Sequence, residues 1–363
     1  MKVALVCDWL TNVGGAEKVL LELHRLYPKA PIYTSKYSKK GIDWFDDADV
    51  RTGWLQVFPV CFRRFLGPLR QRWFSHLDLA EYDLVISVTG AEAKAVKCKN
   101  GLHISYCHVP TQYYWQMYDD YVKNPGFGIL NPMVRFFFKL MVGPLRKADY
   151  KAAQGPDYFI TISEYAKDLI SKYYKREAVV IHPPVEVGVF RGREDTSRNY
   201  YITTSRQVNW KRLDLVVQAC KELRRELLVI GEGPEHNNLV KLSNGRGNIK
   251  FLPVVEKSEL AKYLAGAKGY LFPSLEPFGI APVEALAAGC PVIAYGKGGA
   301  LDYVKDGKNG LLFEKQTVKA LKEAILKYET MKFDREKVSR SVENFSVERF
   351  DKEIKSFING KIE

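Results

Sequence analysis

Four charged residues in the second half of the chain stand at spacings that suit a diphosphate and a sugar. Arg206 and Lys211 lie five positions apart in the run Ser205-Arg206-Gln207-Val208-Asn209-Trp210-Lys211-Arg212. A guanidinium fork and an ammonium beside the start of a helix suit a diphosphate, because both cations and the free N–H groups of the first turn face the anion. Glu276 and Glu284 lie eight positions apart and flank the loop Pro277-Phe278-Gly279. Carboxylates accept paired hydrogen bonds from the vicinal hydroxyls of a sugar or ribose, while the N–H groups of Gly279, Ile280 and Ala281 hold phosphate oxygens. Taken singly, the first pair also reads as a solvated basic helix start, and the second as compensation of a helix dipole.

Two elements of the first half add to this set. Gly14 and Gly15 precede a helical pattern and permit close backbone approach to a ligand, or simply an ordinary turn. His108 stands in Cys107-His108-Val109-Pro110-Thr111 directly after an apolar run. Alone, such a residue reads as a buried structural histidine.

The elements that must position these residues are short apolar runs separated by helical patterns. They cover 2–7, 83–88, 103–107 and 158–162, then 200–204, 226–230, 249–252, 269–272 and 291–294. Continuous apolar runs of this kind predict buried parallel strands. A length of 363 residues suits two α/β domains rather than one core. The prolines of His182 to Val187 and the polar stretch Arg191 to Asn199 place the boundary near 190. The expected domains are 1–190 and 191–345, each Rossmann-like. A helix with Phe350, Ile354, Phe357 and Ile358 at helical spacing fills 346–363 and is expected to pack back on the first domain. Open α/β sheets bind ligands at the carboxyl ends of their strands, which is where these motifs stand.

Arg206, Lys211, Glu276 and Glu284, together with Gly231-Glu232-Gly233-Pro234 and the run Pro291 to Gly299, resemble glycosyltransferase family 4 of the GT-B fold. The resemblance is dense over 200–310. It implies two Rossmann-like domains facing a central cleft, with the acceptor on the first and a nucleotide-diphosphate sugar on the second. By resemblance Arg206 and Lys211 bind the diphosphate, Glu284 the ribose, and Glu276 acts at the transferred sugar. Phe278, Gly279, Ile280 and Ala281 line the donor site, and Gly14 and Gly15 form a loop facing the donor. His108-Val109-Pro110 is similar to the His-x-Pro element of mannosyltransferase-like members, where the histidine sits by the sugar and contributes to catalysis. Such members often carry an arginine soon after that proline, and here Gln112 stands near its place. The resemblance thus implies a retaining transferase whose leaving phosphate oxygen accepts the acceptor's proton. GDP-mannose is the expected donor, with UDP-glucose, UDP-galactose or UDP-N-acetylglucosamine as alternatives. The base is expected to be read around Pro253-Val254-Val255. An inactive sugar-nucleotide-binding protein is a further reading, which the intact charged set opposes.

No D-x-D element or His/Cys cluster with metal-ligand spacing lies near these motifs, so no metal and no cofactor is expected. The six cysteines form no C-x-x-C pair and read as free thiols of a reducing cytoplasm. Neither a leader pattern nor a run of the roughly 20 apolar residues that span a bilayer is present. The net charge of +13 favours polyanionic partners. Nucleic acid is excluded as a partner by the lack of RNP-type strands, helix-turn-helix spacing or zinc ligands. Basic and apolar residues mix between Trp54 and Leu77, with Arg63, Arg64, Arg70 and Arg72 and no acid, and again between Met133 and Lys147. Both stretches read as interfacial amphipathic segments, or as ordinary helices packed on the core. The expectation is peripheral contact with an anionic membrane, at the inner face of the cytoplasmic membrane, to reach a lipid-linked or saccharide acceptor in cell-surface glycan synthesis. The aromatic cluster Tyr113, Tyr114, Trp115, Tyr118 and Tyr121 reads as packing.

Overall fold

Runs of Val, Ile and Leu without polar alternation are stable as strands only when both faces are covered, and helices between them supply the cover. The computed structural model, which describes residues 1–60, 66–123, 125, 128–192, 199–245 and 247–362, turns these runs into two wholly parallel sheets. The chain divides into two compact units, Met1–Pro183 with Asp351–Glu363, and Pro184–Phe350.

In the first unit the strands are β1 Val3–Cys7, β2 Ile32–Thr34, β3 Val50–Thr52, β4 Leu84–Thr89, β5 Leu102–Cys107, β6 Tyr158–Thr161 and β7 Val179–Val180. Their order is β3-β2-β1-β4-β5-β6-β7. All side chains of β1 and β4 are buried, and the two pair in register from Val3 opposite Leu84 to Cys7 opposite Val88. The helices are α1 Gly15–Leu26, α2 Gly67–Ser75, α3 Tyr118–Lys123, α4 Asn131–Ala152 and α5 Glu164–Tyr174. Ser163 caps α5 by accepting from the Ala166 N–H, which satisfies one of the donors a helix start leaves free.

In the second unit the strands are β8 Tyr200–Thr204, β9 Glu226–Ile230, β10 Ile249–Leu252, β11 Gly269–Phe272, β12 Val292–Tyr295 and β13 Gly310–Phe313, in the order β10-β9-β8-β11-β12-β13. Around them run α6 Val187–Phe190, α7 Leu213–Leu223, α8 His236–Ser243, α9 Lys257–Gly266, α10 Ile280–Ala287, α11 Ala300–Tyr303, α12 Val318–Glu329 and α13 Arg335–Arg340. One face of the sheet packs Tyr201, Val229, Leu271, Ile293 and Leu311 against Val216 and Cys220 of α7 and Leu321 and Ile325 of α12.

The unit boundary falls at Pro183–Pro184, a little before the expected 190. The last helix, α14 Val347–Ile362, begins in the second unit, while Asp351 onward clusters with the first. Phe357 meets Tyr158 edge-on there, with centroids 6.0 Å apart. Strands β2, β3, β7 and β13 are additions to the sequence reading, and none exceeds four residues. The two or three residues of β2, β3 and β7 carry no readable period.

Candidate active site

The second unit builds its site where β8 and β11 end side by side. Tyr201 and Ile202 of β8 pair with Gly269 and Tyr270 of β11. The Tyr270 hydroxyl donates to the Thr204 carbonyl at 2.9 Å and accepts from the Thr204 N–H at 3.2 Å, locking the end of β8. Beyond it, the loop of Arg206 lies against the loop after β9. The Gln207 N–H donates to the Glu232 carbonyl at 2.7 Å. A Cβ on Gly231 would stand 2.2 Å from the Ser205 carbonyl oxygen, and one on Gly233 2.4 Å from that of Gln207. Both glycines also hold positive φ, so the crossing admits no side chain. Gln207, which sequence reading did not single out, is buried; its amide donates to the Gly231 carbonyl and meets His236 Nδ1 at 2.9 Å. Arg206 between these anchors is exposed and forms no ion pair among the described residues. Lys211 ends a 3-10 turn, Asn209–Lys211, just ahead of α7.

Glu276 is held at both ends. Its carbonyl accepts from the Gly299 N–H at 2.9 Å, and a Cβ on Gly298 would lie 2.5 Å from that carbonyl oxygen. Its carboxylate accepts from Ser274 Oγ at 2.8 Å and pairs with Lys211 Nζ at 2.5 Å. The Lys211 ammonium also lies over the Trp210 ring, 4.4 Å from its centroid. Gly279, with φ of 92°, starts α10 without a side-chain cap, which leaves first-turn N–H groups for an anion. A Cβ there would crowd Phe272 and the Tyr303 hydroxyl. Glu284 is buried on α10. Arg206, Lys211, Glu276, Gly279, Ile280, Ala281 and Glu284 therefore share one sheet edge.

Phe278 stands directly before Gly279, and its side chain packs into the core of the second unit. Its ring is buried against Tyr303 and Phe345, and its carbonyl accepts from the Tyr303 hydroxyl at 2.8 Å. Burial of its large apolar ring against two others decides the direction of the side chain. Val254, in the stretch expected to read the base, is 73% exposed just after β10.

In the first unit, His108 follows β5, and its N–H donates to the Thr89 carbonyl at 2.8 Å. The ring stands edge-on to Tyr106, with centroids 5.5 Å apart. Its Nε2 is enclosed and has no partner among the described residues. Burial pushes the imidazole down to about 4, so it is neutral at pH 7. A neutral ring with an unused nitrogen is an open hydrogen-bonding group.

The loop of His108 rests on buried polar groups that the sequence did not reveal. Asp8, at the end of β1, accepts from the N–H groups of Gly90, Ala91 and Ala93 at 2.7–3.0 Å and from the Thr89 hydroxyl. Lys94 pairs with Asp149 at 2.6 Å. Asp149 also accepts from Thr111 Oγ1, Trp115 Nε1 and the Tyr174 hydroxyl at 2.7–2.8 Å. The aromatic cluster is packing as expected: Tyr113 and Tyr114 meet edge-on, and Trp115 stacks on Tyr173. Gly14 and Gly15 open α1, but Gly14 is in extended backbone, and a Cβ there would meet only the carboxyl end of Glu17. Close approach is thus not what the Gly14 backbone demands.

The first basic stretch is corrected in part. Arg70 is buried in α2 and pairs with Glu92 at 2.8 Å, with its guanidinium over the Trp9 ring. A one-dimensional charge pattern cannot show a partner 22 positions away. Arg72 is exposed, and Arg63 and Arg64 lie outside the described residues. The second stretch behaves differently: on α4, Met133, Phe136, Phe137, Leu140 and Met141 are exposed, beside exposed Lys139, Lys147 and Lys151. Asp149, the one acid of α4, is buried. No described helix is long and apolar enough to cross a membrane, and among the described residues no three His, Cys, Asp or Glu side chains are grouped to hold a metal ion.

Residues 189–345 match the model of the family described as glycosyl transferases group 1. The whole chain aligns with the structure of HepE from Anabaena in complex with UDP, with a TM-score of 0.74 and 18% identity, covering 99% of this chain and 100% of that one. The chain has the GT-B fold, and its second unit matches a glycosyltransferase family model. A relative of this GT-B chain, an uncharacterized glycosyltransferase of Methanocaldococcus jannaschii, is 30% identical over 196 residues, 53% of this chain and 52% of that protein. The GDP-mannose-dependent alpha-(1-6)-phosphatidylinositol monomannoside mannosyltransferase of Mycolicibacterium smegmatis is 26% identical over 214 residues, 51% of this chain and 56% of that protein. The GT-B chain spans about half the length of these curated relatives.

Proposed function

We propose that this chain transfers a hexose from a nucleotide-diphosphate sugar, with retention of anomeric configuration, to a lipid-linked or saccharide acceptor in cell-surface glycan synthesis. The observation that carries the reading is the gathering of Arg206, Lys211, Glu276, Glu284 and the uncapped start of α10 at one sheet edge. Two cations and a helix N-terminus stabilise the charge that grows on a leaving diphosphate. Glu284 holds the ribose and Glu276 the sugar hydroxyls. The bond from the anomeric carbon to the phosphate oxygen breaks, the bond to the acceptor oxygen forms on the same face, and the phosphate oxygen takes the acceptor's proton. No protein nucleophile and no metal enter this scheme. His108 serves the sugar as a neutral hydrogen-bonding group.

Mannose from GDP-mannose is the donor we assign, supported by the His108-Val109-Pro110 element and by the GDP-mannose dependence of the mycolicibacterial relative. The face of α4 is the contact with anionic lipid, at the inner side of the cytoplasmic membrane. Exposed apolar side chains beside lysines suit the headgroup boundary.

The test is nucleotide release from GDP-mannose, UDP-glucose, UDP-galactose and UDP-N-acetylglucosamine in the presence of a lipid extract and excess chelator, with thermal shift on the same panel. A donor at 100 times its Kd stabilises by about 2.7 kcal/mol. Release from a UDP-sugar alone would replace the donor. No release and no shift with any of them overturns the reading, and a strict metal requirement overturns the metal-free scheme.

A further inference from the structure

Lys211 is assigned to a diphosphate, yet the structure shows it already paired. Its ammonium lies 2.5 Å from Glu276 Oε1, and the two side chains are only 13% and 12% exposed. The Trp210 ring lies against the ammonium, Ser274 Oγ holds the same carboxylate, and Gly298 and Gly299 fix the backbone of Glu276. Neither partner of the pair is free to drift far from the other.

We propose that Glu276 and the donor diphosphate compete for Lys211, so that the site tells a sugar nucleotide from the bare nucleoside diphosphate left after transfer. The inference rests on the donor-site reading above. When a diphosphate takes the ammonium, Glu276 loses its charged partner in a place largely closed to water, where an unpaired carboxylate is costly. A sugar nucleotide offsets that loss, because its hydroxyls donate hydrogen bonds to Glu276. A bare nucleoside diphosphate brings no such hydroxyls to that position. Its binding leaves Glu276 with Ser274 alone, and return of Glu276 to Lys211 favours its departure. Glu276 is thereby a specificity-determining residue for the bound state as well as a contact of the transferred sugar.

Calorimetric titration of the full chain with GDP, and with UDP in parallel, tests this in wild type, Glu276→Gln, Glu276→Ser and Arg206→Ala. Without the competing charge, Glu276→Gln and Glu276→Ser should bind the bare diphosphate about fivefold to tenfold more tightly than wild type. Their preference for GDP-mannose over GDP should collapse. Two substitutions guard against a folding defect in either, and unchanged melting of the free proteins shows that neither is unfolded. Diphosphate affinity that is unchanged or weaker in both variants overturns the proposal, because the ammonium would then serve carboxylate and phosphate together. Failure of the underlying reading looks different: Arg206→Ala would bind the diphosphate as well as wild type, or no protein in the series would bind it at all.

Discussion

Lys94 Nζ and Asp149 Oδ1 lie 2.6 Å apart with both side chains almost wholly buried, and they join the loop after β4 to the last turns of α4. Thr111 donates to the same aspartate and so ties in the loop that begins with His108. Removing one member of a buried pair leaves the other charge without compensation, which costs about 3–5 kcal/mol. Asp149→Asn and Lys94→Met should each lower the free energy of unfolding by an amount in that range. A loss below about 1 kcal/mol in chemical denaturation would show that water or other groups reach the site.

At the donor side, Arg206→Ala and Lys211→Ala each remove a charge-assisted partner of the diphosphate. Each should lower kcat/KM by roughly 1.5–3 kcal/mol of transition-state interaction. Arg206 is exposed and its loop is held by Gln207 and the two glycines, so folding should be unaffected. Turnover at low donor concentration equal to wild type in both variants would refute the assignment.

The two glutamates should separate in kinetics. Glu284→Ala removes a ribose contact made in ground and transition states alike, so it should chiefly raise KM. Glu276→Ala acts at the reacting sugar and should chiefly lower kcat. The opposite pattern, in full Michaelis–Menten curves with saturating acceptor, would mean that the two roles are exchanged.

The strands that hold these residues were legible because β1, β11 and β12 are apolar throughout and β4, β5, β8 and β9 are mostly so. The positions of Arg206, Lys211, Glu276 and Glu284 were legible for a related reason: their spacing within each motif is local. What stayed hidden depends on distant residues. Arg70 looked like a surface cation because Glu92 is remote in sequence, and the contact of Phe278 with Phe345 was invisible for the same reason. Asp8 gave no signal at all, since its partners are backbone N–H groups of Gly90, Ala91 and Ala93.

Burial pushes both His103 and His108 down to about 4, from an ordinary value near 6.5. The unfolded chain therefore binds more protons than the folded one between those values. Their contribution to stability is fully present above about pH 6.5 and is lost as the pH falls toward 4, at roughly 1–3 kcal/mol for each ring. Thermal melts at pH 7, 5.5 and 4.5 should show this slope, and His108→Gln should flatten it. A melting temperature independent of pH over that interval would mean the rings are solvated.

On α4, Phe136, Phe137 and Leu140 are each more than half exposed, so changing all three to Ser should leave the fold intact. The triple variant should remain in the supernatant when wild type sediments with vesicles containing anionic lipid at physiological ionic strength. Equal pelleting of both, or no pelleting of wild type, would remove membrane contact from this face.

Asp351 onward clusters with a unit whose other residues end at Pro183, and its Ile354 and Ile358 are buried. During synthesis the ribosome must therefore translate the whole of the intervening sheet before Ile354 and Ile358 exist. Chains usually settle their leading domain first as they emerge. Here the later domain is the one able to finish first, and the nascent leading domain waits with an apolar face uncovered, a stage at which chaperones would find their target.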